Sequence, residues 1–256
     1  MALEFNMMEM MICVASRQLE DGKTVAVGTG GPCAAAMLAQ KLNSPNLVIF
    51  FEAGGVAPDM PQMPISVGDS RTFFHAIMAA GMGEMMNTCS RGLVDYAFLG
   101  GAEIDKYGNI NSTVVGDFHK PKVRFPGSGG ANDFASLCWR TLIMTLHNRA
   151  RFVERVGFLT SPGYLDGPGA REAAGLPPDS GPYKIITDLA VLGFDKKTRI
   201  MMVESIHDGV RLEQVKEATG FDLIVPDHIP TTAMPTKDEL AILREQVDPL
   251  RLVIGR

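Results

Sequence analysis

Thr24-Val25-Ala26-Val27-Gly28-Thr29-Gly30-Gly31-Pro32 is the stretch that decides the fold. Residues 24–27 are apolar or β-branched and too short a run for a helix, so they fit a buried strand. The strand runs into a glycine-rich turn. Residues 33–42 then read as an Ala-rich helix, opened by Pro32 at its first turn, where a missing N–H costs nothing. Residues 47–51, Leu-Val-Ile-Phe-Phe, form another apolar run of strand length. Strand, glycine turn, helix, strand is a βαβ unit, and βαβ units build parallel sheets covered by helices.

Working outward, residues 7–19 carry apolar side chains at helical spacing, with Gly22 as a stop. The methionines there (Met7, Met8, Met10, Met11) read as core or partner-facing packing, since Met fills irregular gaps. Residues 59–70 hold Pro61 and Pro64 and read as a loop. Residues 72–91 are helical in composition but broken at Gly81 and Gly83. Residues 96–99 are a buried strand, and 125–132 a second glycine-rich loop. Strands are expected at 142–146 and 156–160, then a Pro/Gly loop over 161–182. Short strands at 184–187, 191–194 and 199–204 suggest a meander, and 212–219 a helix closed by Gly220. The expected class is α/β: an open, mostly parallel sheet with flanking helices, a β-rich C-terminal part, and 1–256 as one domain.

Composition bounds the function. At 256 residues, 46% hydrophobic and 21% charged, the chain can build an apolar core without disulfide or metal staples. The 27 glycines and 16 prolines exceed average usage, and no collagen-like period accounts for them. The net charge of −5 comes with no basic block, which argues against a nucleic-acid partner. No apolar run approaches the ~20 residues that span a bilayer, so no membrane partner is expected. The start lacks the charged n-region of a signal peptide, the first cation being Arg17. Cys13, Cys33, Cys89 and Cys138 are widely spaced with no CxxC. They read as free buried thiols of a reducing compartment, and the chain as cytoplasmic. The five histidines show no metal-ligand spacing, and no metal site is expected.

Three segments could carry chemistry. Gly28 to Gly31 sits between a strand and a helix, where unpaired N–H groups and the helix dipole favour an anion. A dinucleotide fingerprint would need a glycine where Cys33 stands. A plain βα turn and a loop beside some other phosphate-bearing ligand are the alternatives. Glu52-Ala53-Gly54-Gly55 follows the second strand, at the carboxyl end where open α/β sheets place their sites. A carboxylate needs no helper base to act as a nucleophile, unlike Ser or Cys; a surface glutamate in a loop is the bland alternative. The two glycines would let a substrate approach the backbone. Phe125-Pro126-Gly127-Ser128-Gly129-Gly130-Ala131-Asn132 could form a nest of N–H groups for an oxyanion, or a structural turn.

Together these segments resemble the beta subunit of the family I coenzyme A transferases, nearest to those of glutaconate type. The resemblance rests on Val27 to Gly30, Ser66-Val67-Gly68-Asp69, Gly100-Gly101-Ala102-Glu103-Ile104-Asp105, Tyr107 to Thr113, Gly127 to Asn132, Thr160-Ser161-Pro162-Gly163 and Asp166-Gly167-Pro168-Gly169, taken in that order along nearly the whole chain. It implies an open α/β fold and an active site shared with a homologous alpha subunit, in an α2β2 or larger assembly. It implies a nucleophilic glutamate at Glu52, oxyanion donors at Gly129 and Gly130, and coenzyme A as substrate, bordered by Gly28 and Gly30, with no tightly bound cofactor. Where the family has a small polar residue after the glutamate, this chain has Ala53. Related decarboxylases and hydrolases of CoA esters, and a non-catalytic subunit completing a partner's site, are the rival readings. Arg71, Lys122 and Arg124 are the cations considered for the second carboxylate of a dicarboxylic substrate.

Overall fold

A computed structural model describes residues 4–255. They pack as two compact units: one runs to Phe98 and resumes at Ala233, and the other is Leu99–Thr232. The sequence reads 1–256 as one domain.

The first unit opens with helix α1 (Met7–Ser16), capped by the Asn6 side chain and, reciprocally, by Glu9. This capping box satisfies two otherwise orphaned N–H groups. Met10 and Met11 are buried while Met7 is exposed. Strand β1 (Thr24–Ala26) leads through the glycine turn to helix α2 (Gly31–Lys41) and strand β2 (Val48–Phe50), the expected βαβ unit. Short strands β3 (Gly55–Val56) and β4 (Met78–Ala79) follow, then helix α3 (Met82–Ser90) and strand β5 (Tyr96–Leu99). The strand order is β5-β1-β2-β3-β4. β1 runs parallel to β2 and β5, while β3 and β4 are antiparallel to their neighbours. Both faces of the parallel strands are apolar, as the unbroken hydrophobic runs require.

Two ion pairs fix the returning chain to α1. Arg17 Nη2 reaches Glu239 Oε2 at 2.6 Å, and Arg244 Nε reaches Glu9 Oε1 at 2.6 Å. Burial alone would raise the carboxyls of Glu9 and Glu239. The arginine partners and the Asn6 and Thr236 N–H groups overcome this and hold both below their ordinary values.

The second unit carries two small hairpins, β6 (Glu103–Ile104) with β7 (Ile110–Asn111) and β8 (Val114–Gly116) with β9 (Pro121–Arg124). Helix α4 (Ala131–Leu137) and strand β10 (Arg140–Met144) follow, then helix α5 (Ala170–Ala173), strands β11 (Gly181–Ile186), β12 (Ala190–Phe194) and β13 (Met201–Ile206), and helix α6 (Leu212–Glu217). β10 pairs with β11 in parallel, and β11-β12-β13 is the expected antiparallel meander. The chain is therefore α/β, with parallel strands flanked by helices and a β-rich later part.

Three expectations change. Residues 156–160 form no strand: Gly157 N–H donates to Glu103 Oε2 and Thr160 N–H to Ile110 O, so this segment is pinned to a hairpin instead of joining a ladder. Within 72–91 only α3 is helical, because Gly81 serves as its N-cap and the preceding residues form a 3₁₀ turn (Ser70–Phe73) and β4. The structure also adds a helix that the sequence pattern does not announce, Lys237–Ile242, capped by Thr236. All four cysteines are buried thiols outside any disulfide. Burial pushes Cys13 and Cys33 up to about 12, which makes them poor nucleophiles at neutral pH.

Candidate active site

Phe51 to Gly54 is a tight turn: the Gly54 N–H donates to Phe51 O at 2.9 Å, and the Phe51 N–H to Gly55 O at 2.9 Å. Glu52 and Ala53 are its two central residues. The turn stands at the carboxyl end of β2, and Glu52 is half-buried there. The register pairs Ala26 with Phe50. Gly28 and Glu52 therefore each lie two residues past paired positions on adjacent parallel strands. The glycine turn and the glutamate turn share one edge of the first unit, the edge at which open α/β sheets bind ligands.

The glycines after Glu52 have a different purpose from the expected one. Gly54 has φ of +121°, and a Cβ on it would fall 1.9 Å from Ala80 O. A Cβ on Gly55 would fall 1.8 Å from Thr72 O. The close approach they permit is that of the chain's own backbone, not of a substrate. They wedge the turn against residues 72 and 80.

Gly28 is exposed, and a side chain on Gly28 or Gly30 would meet open space. Gly30 is the N-cap of α2, with φ of +90°. The dinucleotide alternative would need a third glycine where Cys33 is wholly buried in α2.

In the second unit, the loop from Phe125 to Gly130 is anchored at both ends. Phe125 N–H donates to Thr113 O, Gly127 N–H to Ser112 O, and the Ser112 hydroxyl to Gly127 O. Asn132 Nδ2 donates to Thr160 O. Gly129 takes φ of +49° and Gly130 φ of −80°, a left-handed then right-handed sequence that turns successive N–H groups to one side. The Gly129 N–H has no partner among the described residues. The Ala131 N–H is already committed to Ser128 O at 3.0 Å, so it is no oxyanion donor here. At the other end of α4, the buried Arg171 donates to Ala135 O, Ser136 O, Pro162 O, Gly163 O and Ser180 Oγ. Burial lowers its pKa, and five acceptors stand in for a counter-ion.

Segments that had no assigned role prove to be scaffolding for that loop. The Asp105 carboxylate accepts from Tyr107 N–H, Asn109 N–H and Asn109 Nδ2; Asn109 Oδ1 accepts from Gly163 N–H and Leu165 N–H. Asn111 bonds Glu103 and Val114 O through its amide nitrogen and accepts from Thr113 and Val114 N–H through its oxygen. Of the cations considered for a second carboxylate, Arg71 is held by Asp69 at 2.9 Å and by Met63 O. Arg124 donates to Phe118 O and covers the Phe118 ring. Lys122 is exposed on β9. Among the described residues no three His, Cys, Asp or Glu side chains form a metal-ligand group, and no helix is long and apolar enough to cross a membrane.

The chain as a whole has counterparts among known proteins. The model of the coenzyme A transferase family matches residues 8–218. The chain is 39% identical to the B-type subunit of glutaconate CoA-transferase from Acidaminococcus fermentans over 94% of its own length and 92% of that protein's. It is 39% identical to the B-type subunit of 3-oxoadipate CoA-transferase from Pseudomonas knackmussii, over 92% and 91%. The crystal structure of glutaconate CoA-transferase from A. fermentans superposes with a TM-score of 0.94 at 36% identity, covering 99% of this chain and 98% of that one. This chain belongs to the family I coenzyme A transferases, as a beta-type subunit that works with an alpha subunit.

Proposed function

We propose that Glu52 is the nucleophile of a ping-pong CoA transfer from an acyl-CoA donor to a carboxylic acid of dicarboxylic, glutaconate-like type. The observation that carries this reading is the turn: a half-buried carboxylate at a parallel strand's carboxyl end, on backbone wedged by two glycines. A Glu52 oxygen attacks the thioester carbonyl of the donor; the C–S bond breaks, CoA thiolate leaves, and an acyl-glutamyl anhydride forms. The thiolate attacks the glutamyl carbonyl, releasing the first acid and leaving a glutamyl-CoA thioester. The acceptor carboxylate attacks that thioester and expels the thiolate, which takes the acyl carbon of the second anhydride. New acyl-CoA leaves and Glu52 is restored.

Gly129 and Gly130 supply N–H donors to the tetrahedral oxyanions, a kind of contact worth roughly 2.7–4 kcal/mol. Gly28 and Gly30 border the CoA or acyl group. Coenzyme A enters as substrate, with no tightly bound cofactor, and residues 1–256 act as one functional subunit in the cytoplasm. The alpha partner, in an α2β2 or larger assembly, excludes water that would hydrolyse the anhydride. Ile65, Val67, Phe74, Ile77 and Met82 are exposed apolar side chains that a partner could cover.

The test is Glu52→Gln in the complex with the alpha subunit. Transfer is lost while the complex still assembles, and hydroxylamine or borohydride added after acyl-CoA modifies Glu52 in the unaltered protein. Near-normal transfer by the variant overturns the mechanism.

A further inference from the structure

The second unit contains a cleft of about 560 Å³ bordered by the glycine loop at Gly127 and Ser128. Its walls are largely apolar, formed by Ala102, Phe125, Pro126, Ala131 and Ala150, and the cation among its lining residues is Arg151. This guanidinium is held on one side only. Its Nη1 donates to Gly101 O at 2.9 Å and to Thr145 Oγ1 at 2.6 Å. Its Nε is buried with no acceptor, and Nη2 has none among the described residues. No carboxylate lies within ion-pair distance of it among those residues.

The arrangement is rigid as well as unsatisfied. The Arg151 N–H donates to Asn148 O and Oδ1, and its carbonyl accepts from the Ile104 N–H. Gly101 has no room for a side chain, since a Cβ would sit 2.3 Å from Ile110 Cγ2, so the carbonyl that pins the guanidinium is itself fixed. A planar cation with Nη1 spent, Nε sealed from solvent and Nη2 neither buried nor bonded, beside an apolar wall, offers Nη2 to an incoming carboxylate. Such a charge left without an anion is costly, and an apolar-ended ligand leaves it so.

We propose that Arg151 is a specificity-determining residue: it binds the distal carboxylate of a short dicarboxylic acyl chain lodged in this cleft. The assignment rests on the transferase reading for the presence of an acyl-CoA. It does not depend on Glu52 being the nucleophile. Of the cations considered earlier, Arg71 is already paired with Asp69 and held by Met63 O.

The test compares two unreactive CoA thioethers, S-(4-carboxybutyl)-CoA and S-pentyl-CoA, by isothermal titration calorimetry on the complex with the alpha subunit. The unaltered protein prefers the carboxylate-ended ligand by about tenfold or more, as a charged hydrogen bond provides. Arg151→Gln abolishes that preference and leaves the affinity for S-pentyl-CoA within about threefold, while Arg151→Lys, which keeps a cation, retains part of it. An unchanged preference in Arg151→Gln overturns the proposal. So does an equal loss for both ligands, which would assign Arg151 to a CoA phosphate or to folding alone. Because neither ligand can react, failure of the Glu52 mechanism leaves this measurement standing. Failure of both to bind the unaltered complex overturns the cleft assignment.

Discussion

The Ala80 N–H donates to the Gly54 carbonyl at 3.0 Å, and the Ala80 carbonyl occupies the place where a side chain on Gly54 would begin. One backbone therefore sits in the Cβ position of the other, two residues from Glu52. Gly54→Ala meets both this overlap and a φ of +121°. The strained backbone alone costs about 1–3 kcal/mol. A fall in the thermal midpoint of ~4 °C or more is expected for a chain this size, together with loss of transfer, read by scanning calorimetry and by assay. A variant as stable as the unaltered protein would show that the turn is not wedged.

The Arg17–Glu239 and Arg244–Glu9 pairs make a signed prediction. Both carboxyls are held below the ordinary value of 4.5 in the folded protein. The unfolded chain therefore takes up protons first as pH falls, and the stabilisation is present above about 4.5 and lost below it. Urea midpoints are expected to decline below pH 4.5. The decline is expected to be shallower in Arg17→Met, whose Glu239 has lost the partner that lowers it.

His147 also loses stability as pH falls, in a different window. Burial lowers it to about 4, against the weaker upward pull of Asp188. Its ring lies between the hydroxyls of Thr187 and Thr219 at 3.2 and 2.9 Å and stacks on Phe152. The unfolded histidine is protonated near 6.5 while the folded one stays neutral, so stability drops as pH falls from about 6.5 towards 4. NMR of the imidazole is expected to show a midpoint near 4 in place of 6.5, and His147→Asn to flatten the stability profile between those limits.

Asn109 joins the hairpin turn to the chain at Gly163 and Leu165. Asn109→Ala strands the N–H groups of both residues and one partner of the buried Asp105. Each unsatisfied buried group costs about 1–3 kcal/mol, so a loss of ~2 kcal/mol or more is expected in urea unfolding. Faster amide exchange should be confined to residues 105–112 and 160–166. Unchanged exchange there would remove Asn109 from the scaffold.

The βαβ unit and the meander are legible in the sequence because buried parallel strands and short strands with turns leave unmistakable local runs. Glu52 is legible as a polar residue ending such a run. The meaning of Gly54 and Gly55 is not, because the carbonyls that exclude their side chains come from residues 80 and 72, and local sequence is silent about distant backbone. Strands β3 and β4, two residues each, are defined by pairing rather than by pattern. Arg151 escapes notice for a similar reason. Nothing near it in sequence marks it, and only the folded chain shows Thr145 and Gly101 taking its Nη1 and leaving Nη2. The polar motifs around Asp105, Asn109 and Asn111 carry the family resemblance, yet their work is structural.

The wedged turn also separates what this scaffold can change from what it must keep. Position 52 is a central residue of a turn whose shape is dictated by Gly54, Gly55 and the distant carbonyls of Thr72 and Ala80. A side chain at 54 or 55 would overlap one of those carbonyls, so neither glycine has a substitute there. The two glycines are therefore the fixtures of this turn, whichever residue stands at 52.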